Sequence, residues 1–121
     1  AAGAPEPDIA LPDTSSATVN NPAVVAKVES VLKAALGVDN VTRTPPLTTS
    51  EDFAEYGAEG VPSMFFLVGV TDPQEVAASQ RPGGKPQVFN HSPQFAPLPE
   101  PSIKTGVKAL SLAALGFLDK P

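Results

Sequence analysis

The sequence predicts an α/β fold that is incomplete within these residues. Apolar residues at helical spacing predict two amphipathic helices, at residues 22–36 and at about 101–118, and every position of residues 64–70 between them is apolar. A strand that is apolar on both faces belongs in the centre of a sheet, with strands at its edges and helices over its faces. The chain offers two helices for the faces but too few strands for the edges. We therefore expect the missing strands on another segment or another chain.

Length and composition exclude several classes of function. The 121 residues suit one small domain or part of a larger one, and the absence of cysteine excludes disulfides and thiolate metal sites. A net charge of −5 with scattered basic residues argues against nucleic acid and against a basic membrane-binding surface. The longest apolar run is too short to span a bilayer. We expect a soluble, cytoplasmic protein, and a start at Ala1 also fits a chain cut from a longer one.

The beginning of the chain predicts a domain boundary. Residues 1–16 are small and polar and contain three prolines. Residues 8–11 alternate weakly and predict a short strand, which Pro12 ends. Such a segment buries little surface by itself. Residues 1–16 are therefore predicted to be the end of a preceding domain and a linker, and residues 17–121 to form the main unit.

The first helix has start and stop signals at both ends. Asn21 is a good N-cap because its side chain accepts a bond from a free N–H of the first turn, and Pro22 suits the first helical position. Gly37 supplies the left-handed residue that ends the helix. Residues 38–43 are rich in β-formers and predict a strand.

The polar run before Phe53 predicts a loop that closes into a short helix. Thr49 or Ser50 is the expected N-cap, and Glu51 and Asp52 complement the helix dipole. The same groups are also suited to meet a substrate carboxylate or to orient a metal ligand. The structural and the functional interpretations are compatible.

The second half is predicted to contain a long loop and a final helix. Residues 71–87 are polar and predict a loop, and Gly83-Gly84 lack the strand and helix that a phosphate-binding loop requires. The apolar face of the final helix is predicted to comprise Ile103, Val107, Leu110, Ala114, Phe117 and Leu118.

His91 is the single histidine and the main candidate for chemistry. On residue type alone it is more often a loop residue bonded to a neighbour or to solvent than a ligand. Here Pro93 stiffens the loop, and Phe89 and Phe95 are expected to anchor it in apolar surroundings, as a metal ligand requires. A catalytic zinc site needs about three protein ligands, so the others must come mostly from elsewhere.

Four motifs, in this order, resemble the end of a known enzyme family: Asn20-Asn21-Pro22-Ala23, Ser50-Glu51-Asp52-Phe53-Ala54, residues 61–69, and Asn90-His91-Ser92-Pro93-Gln94-Phe95. With the amphipathic last helix, they resemble the aminoacylase/hippurate hydrolase group of metal-dependent amidohydrolases, which is related to the carboxypeptidase G-type metallopeptidases. The resemblance covers nearly the whole chain. Thr49 departs from it, because members often have glycine there, and the loop at 71–87 is longer than in many members.

The resemblance implies a fold, a metal site and a reaction. It implies the C-terminal portion of an α/β/α layered, zinc-exopeptidase-like catalytic domain, with residues 1–16 left from the lid (dimerisation) domain. It implies a site for two divalent metal ions, expected to be zinc, with His91 as one ligand. Substrate-binding or ligand-orienting roles are implied for Ser50, Glu51, Asp52 and Asn90. The other ligands and the catalytic glutamate lie upstream in the family.

The expected function is therefore that of part of an enzyme. The parent would hydrolyse the amide bond of an N-acyl amino acid or a small peptide-like substrate, while the chain alone would be inactive. Its partners would be that substrate and the rest of the catalytic domain, and a homo-oligomer is compatible with the family. One alternative is a non-catalytic, truncated module that packs against a partner chain. A weaker one is a serine hydrolase fragment, which no Gly-x-Ser-x-Gly motif supports.

Overall fold

The computed structural model describes residues 3–10, 16–49 and 51–118, and its regular elements in those ranges are helices. In chain order they are α1 (Pro22–Leu36), a 3-10 turn (Val38–Asn40), α2 (Ala54–Ala58), α3 (Pro73–Ser79) and α4 (Pro99–Leu118). The chain forms two compact units. The first unit contains the described residues of 1–25 and 44–65, and the second contains those of 26–43 and 66–121.

The prediction of an α/β fold, and of an α/β/α layered domain in particular, is wrong for the described residues, which contain no strand. A strand exists only as part of a hydrogen-bonded ladder, and the apolar residues 64–70 have no neighbouring strand in the part of the chain that the structure describes. Their backbone bonds go elsewhere, to the side chain of Asn20 at Phe65 and to the Leu98 N–H at Val70. Composition predicted the apolar character of the segment, whereas pairing depends on partners that are not encoded in it.

The two shorter strand predictions fare no better. Residues 3–10 have no regular structure, and Leu11 lies outside the described residues. Residues 38–40 form a 3-10 turn, which the Asn40 side chain ties to the Leu36 carbonyl at 2.7 Å. Arg43 then reaches back to Glu29 of α1 at 2.8 Å, so the segment folds against its own helix.

Helix α1 is confirmed at both ends. The Asn21 carboxamide oxygen accepts from the N–H groups of Ala23 and Val24 at 3.0 and 3.2 Å. Gly37 follows the last helical residue with φ of 93° and ψ of 145°, a positive-φ conformation that glycine adopts at little steric cost. Val28 and Leu32 on the predicted apolar face are buried, with 4% and 5% exposed.

Helix α4 is confirmed in extent, but its predicted apolar face is not the buried one. Ala109 is 2% exposed, whereas Leu110 is 63% exposed. Small residues predominate on the side that α4 turns inward, where Ala109 is buried and Ser102, Gly106, Leu112, Ala113 and Gly116 are half-buried. Contacts place α4 antiparallel to α1, because Lys108 bonds the Ala35 carbonyl at 3.0 Å and the Lys27 ammonium lies 4.7 Å from the Phe117 ring centroid.

The long loop predicted at residues 71–87 contains a helix. Asp72 caps α3 by accepting from the Gln74 N–H at 2.7 Å, and Pro73 is its first residue. The glycine pair then closes the chain against the end of α3. Gly83 has φ of 74°, and a Cβ on Gly84 would overlap the Ala78 carbonyl oxygen. These glycines therefore have a structural role.

In the described ranges, no helix combines the length and the apolar character required to cross a membrane.

Candidate functional site

The candidate acidic residues form a turn that leads directly into α2. The Glu51 carboxylate accepts from the Phe53 N–H at 3.3 Å, and the Glu51 carbonyl accepts from the Ala54 N–H at 3.2 Å. We call residues 51–53 the acidic turn. Ser50 lies outside the described residues. The expected cap at Thr49 is wrong, because the N-cap position is held by Phe53, which makes no side-chain cap bond.

The acidic turn is anchored by aromatic packing within the first unit. The Phe53 ring lies 5.6 Å from the Phe65 ring and 5.3 Å from the Tyr56 ring, both tilted, within the range of favourable aromatic pairs. The neighbouring Ala54 is buried, with 4% exposed. Asp52 is exposed and Glu51 is half-buried, so the turn presents carboxylates to solvent from a fixed base.

An open depression of about 420 Å³ lies in the same unit. It is lined by Asn20, Asn21 and residues near the end of α2, such as Gly57 and Ser63. Both asparagine side chains are already committed, that of Asn20 to the backbone of Phe65 and that of Asn21 to the first turn of α1. The depression is therefore part of the scaffold beside the acidic turn, with its amide groups used for structure.

His91 stands on a left-handed backbone in the second unit. Its φ is 69°, and it is the one residue other than glycine with positive φ among the described residues. Histidine, like asparagine and aspartate, is found in this region more often than other residues, yet a strained position is kept only where its surroundings determine it. Ser92 supplies those surroundings, because its hydroxyl accepts from the Gln94 N–H at 3.2 Å and its carbonyl from the Phe95 N–H at 3.0 Å.

The side chains around His91 are more open than the sequence predicts. The expectation that Phe89 anchors the loop in apolar surroundings is wrong for the described residues, since Phe89 is 68% exposed. Phe95 is half-buried, whereas Asn90 and His91 are exposed. Backbone bonds of Ser92, more than aromatic packing, therefore define the turn on which His91 stands.

The described residues offer one imidazole but no complete metal site. No group of three or more histidine, cysteine or acidic residues comes together in the ranges 3–10, 16–49 and 51–118. Glu51 and Asp52 belong to the first unit, and Asn90 and His91 belong to the second. The His91 side chain is exposed, so a cation could reach its ring. The residues present therefore fit a single ligand of a shared site.

Comparison with known proteins assigns the chain at the level of a family. No curated protein and no solved structure matches the sequence significantly. The family model described as peptidase family M20/M25/M40 matches residues 8–115, a range that includes the acidic turn and the His91 turn. That range is most of the chain, and peptidases of this family are typically metal-dependent. The chain therefore belongs to peptidase family M20/M25/M40.

Proposed function

We propose that this chain is the C-terminal part of a metal-dependent amidohydrolase that cleaves N-acyl amino acids or small peptide-like substrates, with His91 as one metal ligand. The observation that carries the proposal is the position of His91 within the family match, on a turn whose backbone is fixed by Ser92. A metal ligand needs a fixed mount, and the bonds of Ser92 fix the backbone that follows His91.

The chain's own residues would bind the metal ion and orient the substrate. The neutral His91 imidazole would donate one ring nitrogen to the ion, and the exposed Asn90 carboxamide beside it is available to bond the ring or the substrate. Glu51 and Asp52 would face the substrate or a metal ligand from the acidic turn, and we propose the same role for Ser50. A divalent ion held in the complete site, for which zinc is the expected identity, would polarise the scissile carbonyl and acidify a water molecule.

The proposal requires protein beyond these residues. One imidazole falls short of the three or so ligands of a catalytic site, so the remaining ligands and the glutamate that takes the proton from water would come from an upstream segment or another chain. Residues 1–16 would then be the remnant of a lid domain, and 17–121 part of the catalytic domain. The chain alone would be inactive.

A non-catalytic module that packs against a partner remains the second candidate, and it would account for one observation. Large apolar side chains on α4 are exposed, among them Ile103 at 64% and Leu118 at 73%. An apolar surface of this kind is typical of a face that another protein segment covers. The apolar surface of α4 would be covered by another segment in the enzyme as well. The two candidates therefore differ in whether the protein catalyses hydrolysis, and both require a covered α4.

Removing the imidazole in the complete protein tests the enzyme proposal. The substitution of choice is His91→Gly, because glycine adopts the left-handed backbone without strain and the turn is preserved. His91→Asn is the matched control for shape, since asparagine also tolerates this backbone. We expect loss of bound zinc and of N-acyl amino acid hydrolysis in both variants. Full zinc content together with unchanged turnover in His91→Gly would refute the ligand role.

A further inference from the structure

One side chain joins two parts of the first unit that are far apart in sequence. The Asn20 carboxamide oxygen accepts from the Phe65 N–H at 2.7 Å, and its nitrogen donates to the Phe65 carbonyl at 2.9 Å, across a separation of 45 residues. The next residue adds a backbone bond, from the Asn21 N–H to the Ser63 carbonyl at 2.9 Å. Two consecutive asparagines thus hold Ser63 and Phe65 in register with the start of α1.

The chemistry of the amide explains why asparagine stands at this position. A carboxamide presents one acceptor and one donor side by side, and the backbone of Phe65 presents the complementary pair. Aspartate would keep the bond to the N–H but would turn a second acceptor toward the carbonyl oxygen. Alanine would lose both bonds. Asn20 is exposed, so burial does not hold it there, and the paired bonds define its orientation.

The position of Phe65 is transmitted to the acidic turn. The Phe65 ring packs on the Phe53 ring at 5.6 Å, and Phe53 is the residue whose N–H bonds the Glu51 carboxylate. Each of these contacts lies within the first unit. A continuous series of short contacts therefore leads from Asn20 through two aromatic rings to the carboxylate of Glu51.

We propose that Asn20 is a positioning residue that holds the acidic turn in place through Phe65 and Phe53. It touches no reacting atom itself. Its consequence for turnover rests on the proposed function, in which the acidic turn faces the substrate or a metal ligand. The mechanical link from Asn20 to the turn is independent of any reaction.

The experiment compares two asparagines in the complete protein. Asn20→Ala removes both bonds to Phe65, whereas Asn40→Ala removes a comparable exposed bond, from the Asn40 amide to the Leu36 carbonyl at 2.7 Å, in the second unit. Hydrogen exchange of peptides that cover residues 51–59 reports on the turn, and KM and kcat for an N-acyl amino acid report on its use. We expect Asn20→Ala to speed exchange several-fold there and to raise KM several-fold with a smaller change in kcat, and Asn40→Ala to do neither.

The outcomes separate this inference from the proposed function. Unchanged exchange at 51–59 in Asn20→Ala, or an equal rise in Asn40→Ala, overturns the inference whether or not the protein hydrolyses anything. Faster exchange with unaltered KM and kcat overturns the positioning role. If wild-type protein has no hydrolase activity, the proposed function fails and the exchange comparison still decides the link. If Asn20→Ala does not fold, Asn20→Asp, which keeps the acceptor for the Phe65 N–H, is judged by the same criteria with a smaller expected effect.

Discussion

Helices α1 and α4 pack against each other, yet they bury opposite kinds of side chain. In α1 the buried residues are large, with Val28 and Leu32 nearly inaccessible. In α4 the buried residue is Ala109, and the large side chain next to it, Leu110, is 63% exposed. Gly116 of α4 lies against Val31 of α1, so a small residue meets a larger one there, an arrangement that lets two helix backbones approach closely.

The sequence of α4 contains two stripes with the same period. The stripe that we call large comprises four large residues, Ile103, Val107, Leu110 and Phe117, together with Ala114. The small stripe is offset by one residue and comprises Ser102, Gly106, Ala109, Ala113 and Gly116. One residue corresponds to about 100° around a helix, so the stripes are neighbouring faces. The periodicity of the sequence predicts that α4 is amphipathic. Which of the two neighbouring faces is buried depends on the shape of the α1 surface that it packs against.

The largest expected effect separates the buried leucine of α1 from the exposed leucine of α4. Leu32→Ala leaves a cavity at a residue that is 5% exposed, so we expect the free energy of unfolding to fall by about 2–5 kcal/mol. Leu110→Ala at 63% exposure is expected to cost less than about 0.5 kcal/mol in the 121-residue chain alone. Urea denaturation of both variants measures the difference.

The same leucine pair tests the covering segment that the proposed function requires. In the complete protein Leu110→Ala should become costly, approaching the effect of Leu32→Ala, because another segment would then lie on the large stripe. A loss that stays below about 0.5 kcal/mol in both settings would contradict a covered α4.

A second, smaller effect concerns how closely α4 approaches α1. A Cβ on Gly116 would lie 3.3 Å from the Val31 Cγ2 atom, whereas a Cβ on Gly106 would meet nothing within 4 Å. Replacing glycine by alanine inside a helix gains about 0.5–1 kcal/mol where space allows. We expect Gly106→Ala to raise the thermal midpoint and Gly116→Ala to gain less or to lower it. Equal gains at both positions would mean that the close approach of the helices does not limit their packing.

Cap signals in the sequence predict the start of α1 but not that of α2, whose N-cap position is held by Phe53 and not by Thr49. The Asn21-Pro22 start of α1 is confirmed by its bonds, and Asp72-Pro73 carries the same cap chemistry at the start of α3. That second signal lies in a segment predicted to be loop because its composition is polar. A helix of seven residues is too short to show the repeated apolar spacing that predicts α1. The Asp72-Pro73 cap is therefore the feature of the sequence that indicates α3.

Long-range features could not be predicted in the same way. The order of motifs predicts a group of metal-dependent amidohydrolases, and the family match supports peptidase family M20/M25/M40 but not that narrower group. The contact of Asn20 with Phe65 spans 45 residues and leaves no periodic trace in either segment. Likewise, the apolar residues 64–70 indicate burial, but whether they form a strand depends on what lies beside them. The composition of a segment indicates whether it is buried, whereas its secondary structure also depends on the segments that pack beside it.

The smallest expected effect at neutral pH compares two ion pairs of identical spacing. Glu29–Lys33 in α1 and Glu100–Lys104 in α4 are both separated by four residues, with N–O distances of 2.6 Å. Glu29 also bonds Arg43, and its side chain is 17% exposed against 76% for Glu100. Hydrogen bonds from Arg43 and then Lys33 lower the pKa of Glu29 from 4.5 to about 2.

Acid titration of stability distinguishes the two pairs. Because the folded-state pKa of Glu29 is depressed, its contribution is present above about pH 4.5 and is lost as the pH falls toward 2. We expect Glu29→Gln to flatten the decline of the thermal midpoint within that window. Glu100→Gln should leave the decline as it is, since exposed pairs contribute little. If the thermal midpoint of the two variants changed with pH in the same way, the second cation, Arg43, would add nothing to the α1 pair. The polar faces of the two helices would then contribute equally to stability, although their buried faces differ.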